Sequence, residues 1–374
     1  MADLIFAGKQ RPPLYVGAEI FARPSFPPPH PLAFPRAGHV EALCRALGWL
    51  DGAYVASQPA TMADLARYHD PEYIDAVTCA DHDQSVDDAA RARFNLGTRA
   101  NPIFPGLFER AATAVGGSLL AARLAWEGRI VFHPPGGTHH GGKARANGFC
   151  FFNDPVFAIL EFLALGARRV AYVDFDAHHG DGVEDAFADE THVMTISIHE
   201  ADRWPRTGAL HDRRGGNARN MPVPRRLNDD EFAALVDDAV APLVAGFGAD
   251  ALVIVTGADA LAGDPLAKLG LSNGGLWRAV ERVAALAPAA VVLGGGGYHP
   301  WNVSRCWTGL WGRLAGFAFP DPLPESAQAL LRALAPFRLR GQEIDPGWLT
   351  TLADPPRGGL VREEIHGIVE ASLG

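Results

Sequence analysis

Six short apolar runs, none of them alternating with polar residues, recur along the 374-residue chain. They are PLYVG (13–17), RIVF (129–132), RVAYVDF (169–175), HVMTISI (192–198), DALVIVTG (250–257) and AAVVLGG (289–295). A strand with one wet face alternates in polarity, whereas a strand covered on both faces does not. Such runs therefore predict a mostly parallel sheet with helices on both faces. Between them, LFERAATAVGGSLLAARLAWEG and DDEFAALVDDAVAPLVAGF place apolar residues at three- and four-residue spacing, the pattern of helices packed on one side. Strand and helix alternating in this way make the fold class α/β. There is no internal repeat and no low-complexity linker, so the chain reads as one domain over 1–374. The Pro-rich RPSFPPPHPLAFPR (23–36) reads as an extended loop, and the role of the tail from 320 to 374 stays open.

Charge narrows the function classes. The formal net charge of −10 is spread over mixed acidic and basic residues, so neither a nucleic-acid arm nor a polybasic membrane patch is expected. No segment approaches the roughly 18 unbroken apolar residues of a membrane helix. MADLIFAGKQRPP has no basic stretch leading into an apolar run, and a cytoplasmic location is expected. Cys44, Cys79, Cys150 and Cys306 form no CxxC pair, which speaks against a disulfide framework and against a thiolate zinc site. Oligomeric state is left open.

The polar clusters follow the apolar runs. Asp174 and Asp176 end VAYV, Asp259 comes just past LVIVTG, Tyr298 follows VVLGGGG, and His139 and His140 follow RIVF through HPPGGTHH. Ligands of open α/β sheets bind at the carboxyl ends of strands, so these clusters are expected to converge on one pocket. Asp176 and His178, with Asp259 closing the set, would offer two carboxylates and one imidazole with an open fourth position. That is the donor set of a catalytic zinc site, and iron(II) or cobalt suits it equally. Taken alone, Asp176 and His178 read as well as caps of the following helix. The rings of His139 and His140 should diverge, with Asp174 and Asp181 available as one partner each. A carboxylate on one ring nitrogen fixes the tautomer and raises the basicity of the other, which suits a general base. LGGGGY is either a flexible turn or a close approach to a bound group that presents the Tyr298 hydroxyl to a developing oxyanion.

In GGTHHGGKARANGFCFFND, YVDFDAHHGDGVEDAF, GADALAGDPL and LGGGGYHPWNVSRCW the sequence resembles the zinc-dependent histone deacetylase superfamily, and within it bacterial acetoin-utilisation-type deacetylases of class I character. Weaker similarity starts at HPLAFPRAGHVEALCRALGWL, and the motif-bearing region spans about 14–315. The resemblance implies an arginase/deacetylase-like fold and removal of acyl groups from acyl-lysine by metal-activated water. It implies Zn2+ on Asp176, His178 and Asp259, His140 as general base and acid, and His139 as its electrostatic partner. Asp174 and Asp181 would stand behind the two histidines, His179 in the shell around the metal, and Tyr298 on the scissile carbonyl. A structural K+ would lie on the backbone around Asp174, Asp176, His178 and Ser197. Arg36 would face an internal acetate pocket, while Gly148, Phe149 and Trp204 would line the acyl-lysine tunnel.

Leu266 matches a tunnel-rim position that is hydrophobic in lysine deacetylases and acidic in acetylpolyamine deacetylases, which favours acyl-lysine over small acetylated amines or polyamines. A binuclear-metal ureohydrolase is a weaker alternative, because the next Asp after Asp259 stands five positions on. A non-catalytic acyl-lysine binding module is weaker still, since tyrosine and ligands are intact. Two positions depart from the family. Ala100 stands where many class I members have an Asp that binds the substrate backbone, so a peptide is held loosely, Asn101 substitutes, or the substrate is not a peptide. Thr138 replaces a common aromatic just before the histidine pair.

Overall fold

Within one buried strand, neighbouring residues serve opposite layers: Ala251, Val253 and Val255 join one apolar cluster, and Leu252 and Ile254 join the other. This double burial explains the unbroken apolar runs. A computed structural model describes residues 11–24, 26, 30–338, 341 and 343–374. Prolines 27–29 of the expected extended loop and the start of the N-terminal segment lie outside the described residues.

The strands are β1 (Leu14–Gly17), β2 (Tyr54–Ala56), β3 (Ile130–His133), β4 (Val170–Asp174), β5 (Val193–Glu200), β6 (Ala218–Val223), β7 (Ala251–Val255) and β8 (Ala289–Leu293). They form one sheet in the order β2-β1-β3-β8-β7-β4-β5-β6, and every neighbouring pair is parallel. The six apolar runs are β1, β3, β4, β5, β7 and β8. The two strands they do not announce, β2 and β6, are the two edges of the sheet. An edge strand is covered less completely and tolerates Pro222, so it carries no continuous apolar signature.

The helices used below are α1 (Arg36–Ala46), α2 (Leu107–Ala125), α3 (Asp154–Ala164), α4 (Asp181–Ala186), α5 (Asp229–Leu235), α6 (Ala241–Phe247), α7 (Asn273–Ala284), α8 (Pro300–Leu314), α9 (Glu325–Arg332) and α10 (Glu363–Leu373). On one face of the sheet α2 and α3 pack on Val131, Tyr172, Val253 and Val291. On the other, α1, α7 and α8 pack on Phe132, Val173, Ile254 and Val292. The helix expected over 229–247 is interrupted: a five-residue π turn, Val236–Val240, separates α5 from α6. Pro242 has no N–H to give, and its ring would clash with the carbonyl four residues back, so the widened turn relieves that conflict.

In the sheet order, β3, β8, β7 and β4 are consecutive, so the four strand ends that carry the polar clusters are neighbours. The tail packs on the same core, with Leu323, Ala327, Leu331, Leu352, Ile365 and Ile368 buried against it. Arg305 of α8 is buried and holds the tail through Asp354 Oδ1 (2.7 Å), Thr351 O (2.7 Å) and Ala353 O (3.0 Å). Arg362 pairs likewise with Glu231 of α5. Among the described residues no helix is long and apolar enough to cross a membrane, and all four cysteines are free.

If the tail belongs to this core, Ile365→Ala should lower unfolding free energy by about 2–4 kcal/mol in urea titrations, as for a buried aliphatic truncation. Leu360→Ala, at a side chain 91% exposed, should shift it by less than about 0.5 kcal/mol.

Candidate active site

The site begins where β4 ends. Asp174 is fully buried, and its Oδ2 accepts from the Tyr172 hydroxyl (2.6 Å) and lies 2.7 Å from His139 Nδ1. Its Oδ1 accepts from the Asp176 amide (3.0 Å), which fixes the turn that follows. Asp176 Oδ1 accepts from the His178 amide (2.9 Å), and its Oδ2 from the Gly296 amide (2.5 Å). Asp259 Oδ1 accepts from the Ala177 amide (3.0 Å), and its Oδ2 lies 2.9 Å from His178 Nδ1. One donor atom each of Asp176, His178 and Asp259 falls within a 4.8 Å cluster, and all three residues are buried.

The alternative reading of Asp176 and His178 as helix caps does not hold, because the residue capping α4 is Gly180 and no side chain caps it. Backbone amides instead aim both carboxylates at one point, the outer support that metal-ligating carboxylates need. Glycine is required for this packing. A Cβ on Gly257 would lie 2.2 Å from Asp176 Oδ2, and one on Gly296 would lie 2.1 Å from Asp259 Oδ2. LGGGGY is thus a close approach of backbone to ligand carboxylates. The buried cluster of two carboxylates and one imidazole fits a single divalent ion of the zinc type.

The two adjacent histidines have separate partners. His139 Nδ1 bonds Asp174, and His140 Nδ1 lies 2.6 Å from Asp181 Oδ1. Their rings are 3.9 Å apart. Burial opposes charge on His139, but Asp174, Asp176 and Asp181 outweigh it and raise the ring to about 9. Burial, together with the charge of His139, lowers His140 to about 4. One imidazole is therefore cationic and its neighbour neutral, which separates the electrostatic role from the basic one. Burial raises Tyr298 well above a phenol's ordinary value, so its hydroxyl remains a donor. Asp264 Oδ2 accepts from the Tyr298 amide (2.8 Å) and places that residue.

Around these groups the remaining candidates are distributed unevenly. Phe149 adopts a left-handed backbone (φ 69°), and its ring lies 5.9 Å from Tyr298. Trp204, 43% exposed, lies 4.6 Å from the His140 ring. Gly148 leaves room for both, since a Cβ there would lie 2.5 Å from Trp204 and 2.6 Å from His140. Leu266 packs in the apolar cluster that contains Tyr298 and borders Phe149. Ser197 sits opposite Asp174 in the β4–β5 register, and its hydroxyl lies 2.9 Å from His199 Nδ1. Arg36 Nη1 donates to Gly295 O (2.8 Å) and Gly297 O (3.2 Å). His179 turns away from the ligand cluster, with Nδ1 near Thr207 Oγ1 (2.8 Å) and Nε2 near Glu184 Oε2 (3.2 Å).

Asn101 does not take the place of the missing acid at Ala100. It is buried, its Oδ1 accepts from the Phe149 amide (3.0 Å), and its Nδ2 donates to Asn95 O (3.1 Å). Both ends are thus occupied, one by the left-handed Phe149 and the other by Asn95. Asp154, absent from the sequence-based candidates, accepts from the amides of Gly137 (3.0 Å) and Thr138 (2.7 Å) and so clamps the loop before the histidine pair. The only local signal for it is NDP at a helix start.

Comparison with known proteins matches the histone deacetylase domain family over residues 30–314. Histone deacetylase 8 of Xenopus tropicalis is 34% identical over 78% of this chain and 80% of its own length. Histone deacetylase 6 of Arabidopsis thaliana is 36% identical over 66% of this chain and 54% of its own. The crystal structure of an HDAC homolog from Aquifex aeolicus superposes with a TM-score of 0.92 at 33% identity, covering 97% of this chain and all of that one. An HDAC homolog complexed with SAHA superposes with the same score.

Burial opposes charge on metal-free His178, but Asp176 and Asp259 raise it to about 10, so the ring carries a proton across the neutral range. A metal must displace that proton. Titration of Zn2+ into metal-free protein should therefore release about one proton per ion. Affinity should rise with pH through the neutral range, as read by calorimetry in two buffers of different ionisation enthalpy.

Proposed function

Because the chain belongs to the histone deacetylase family, we propose that it is a zinc-dependent hydrolase of the side-chain amide of acylated lysine. The observation that carries this reading is the pair of imidazoles 3.9 Å apart, His139 on Asp174 and His140 on Asp181, beside the buried cluster of Asp176, His178 and Asp259. When bound by those three residues, zinc would polarise the amide carbonyl and lower the pKa of a water.

The neutral His140 accepts the proton of the attacking water at Nε2, while Asp181 holds its Nδ1 in the donor tautomer. His139 stays cationic and balances charge as it develops. The Tyr298 hydroxyl donates to the carbonyl oxygen as that oxygen becomes an oxyanion, and His140 returns its proton to the leaving amine. Phe149 and Trp204 would flank the four methylenes of lysine without desolvating a charge, and Leu266 at the rim offers nothing to a polyamine ammonium. With Ala100 exposed and Asn101 turned inward, a peptide backbone would be held by fewer side chains than in many class I relatives. The backbone around Asp174, Asp176 and His178, together with Ser197, would hold a structural K+. The described chain, tail included, would act as one domain. A binuclear ureohydrolase finds no support in Asp264, whose oxygens accept from the Tyr298 and Leu266 amides.

The test is amine release by the zinc-loaded protein from an acetyl-lysine peptide and an acetylated polyamine. Peptide turnover is expected, and Tyr298→Phe should lower kcat by about 10²–10³ with KM little changed. Turnover of the polyamine alone would overturn the reading of Leu266. No turnover of either substrate despite bound zinc would overturn acetyl as the acyl group removed and leave another acyl group or a binding role.

A further inference from the structure

One cavity of about 130 Å³ is lined by Tyr298 and the histidine pair, by Gly148 and Phe149, and by Arg36 and Arg110. Thr138, Ala37, Ala111 and Ala114 on its wall are small, which leaves it open, and the Thr138 hydroxyl is drawn out of the space by bonding Asp154. Two guanidiniums face this one chamber. Arg36 stands beneath the glycine loop, 5.3 Å from the Trp307 ring. Arg110, from α2, lies over Phe21 at 5.1 Å and borders a second depression that opens beside Arg23 and Pro24.

Neither arginine has a carboxylate partner among the described residues. Arg36 donates only to Gly295 O and Gly297 O, and Arg110 only to Ile20 O (2.8 Å) and Arg23 O (3.1 Å), in every case from Nη1. The other guanidinium nitrogens of both make no hydrogen bond among the described residues. Arg305, itself fully buried, is by contrast paired with Asp354, and Arg67 with Glu161. Two like charges lining one cavity, neither in an ion pair, repel each other and lose hydration on burial. Burial and the neighbouring Arg36 lower Arg110 to about 10, which leaves it charged at neutral pH. An anion between the two would satisfy both. A short acyl product carries one carboxylate and calls for one cation; the same cavity is lined by two, Arg36 and Arg110.

We propose that the acyl group removed here ends in a carboxylate of its own, of the succinyl or glutaryl class, with that terminus bound between Arg36 and Arg110. This rests on the deacylase reading above. The water oxygen bonds to the acyl carbon, the carbon–nitrogen bond breaks, and the lysine amine takes the returned proton. The products are free lysine side chain and a dicarboxylate. Butyryl, equal in chain length to succinyl but uncharged, is the matched control.

The experiment compares acetyl-, butyryl-, succinyl- and glutaryl-lysine peptides with the zinc-loaded protein. Succinyl or glutaryl kcat/KM is expected to exceed butyryl by about tenfold or more, as for charge-assisted bidentate recognition. Arg110→Gln should collapse that ratio, and Arg110→Lys, which keeps the charge, should retain part of it. Thermal unfolding of each variant reports whether it folds. Acetyl turnover with no preference for the charged acyl groups, or a preference unchanged in Arg110→Gln, would overturn the inference and leave the proposed function standing. If no peptide is turned over, the proposed function fails, and binding of free succinate decides the chamber. Weakening by about tenfold in Arg110→Gln supports it; equal binding, or none to the wild type, overturns it.

Discussion

Asp174 is the buried carboxylate on which the rest of the site depends. It accepts from a tyrosine two residues earlier on its own strand, pairs with a histidine from the loop after β3, and fixes the amide of the next acid in the turn. A carboxylate without water must find such partners, and here each of them does further work. Through His139 it sets the charge beside His140. Through the Asp176 amide it sets the turn that presents the candidate metal cluster. A single unsolvated acid thus couples the acid–base pair to the ligand set, although neither is close to the other in sequence.

The second constraint is steric. Asp176 and Asp259 come from the ends of neighbouring strands, and their carboxylates converge only because the β7 and β8 ends pass as bare backbone. Gly257 and Gly296 leave about 2 Å where a Cβ would stand, far inside van der Waals contact between carbon and oxygen. Chemistry at this site is therefore defended as much by the absence of side chains as by their presence. Gly148 plays the same part at the tunnel, admitting Trp204 and His140 together.

These constraints explain what was legible in the sequence. Doubly covered strands announce themselves because burial on both faces leaves a continuous apolar run, and the clusters at their ends were placed through the geometry of parallel sheets. The edge strands β2 and β6 were not, since β2 has only three residues and β6 is interrupted by Arg219, Asn220 and Pro222, and neither was the π turn before Pro242. The tail lacked a recognisable partner in sequence: Arg305 meets Asp354 and Arg362 meets Glu231 across 49 and 131 positions. Within the site, the His–Asp pairs could be anticipated because two adjacent imidazoles needed a carboxylate each, and Asp174 and Asp181 were at hand. Asn101 could not, because its role is to bond the amide of Phe149, 48 residues away, and no local pattern marks a side chain reserved for a distant backbone. Arg110 escaped notice for a related reason: inside a helical repeat it reads as a surface cation, and only the cavity reveals what it faces.

The position of the tail also bears on synthesis. Every group of the candidate site has been synthesised once Tyr298 is made, yet Leu352, Ile365 and Ile368 close the layer beneath α5 and α8 only afterwards. The nascent chain thus carries its chemical groups well before it can seal the core that supports them. For that interval its exposed apolar layer is a surface for chaperones rather than for substrate.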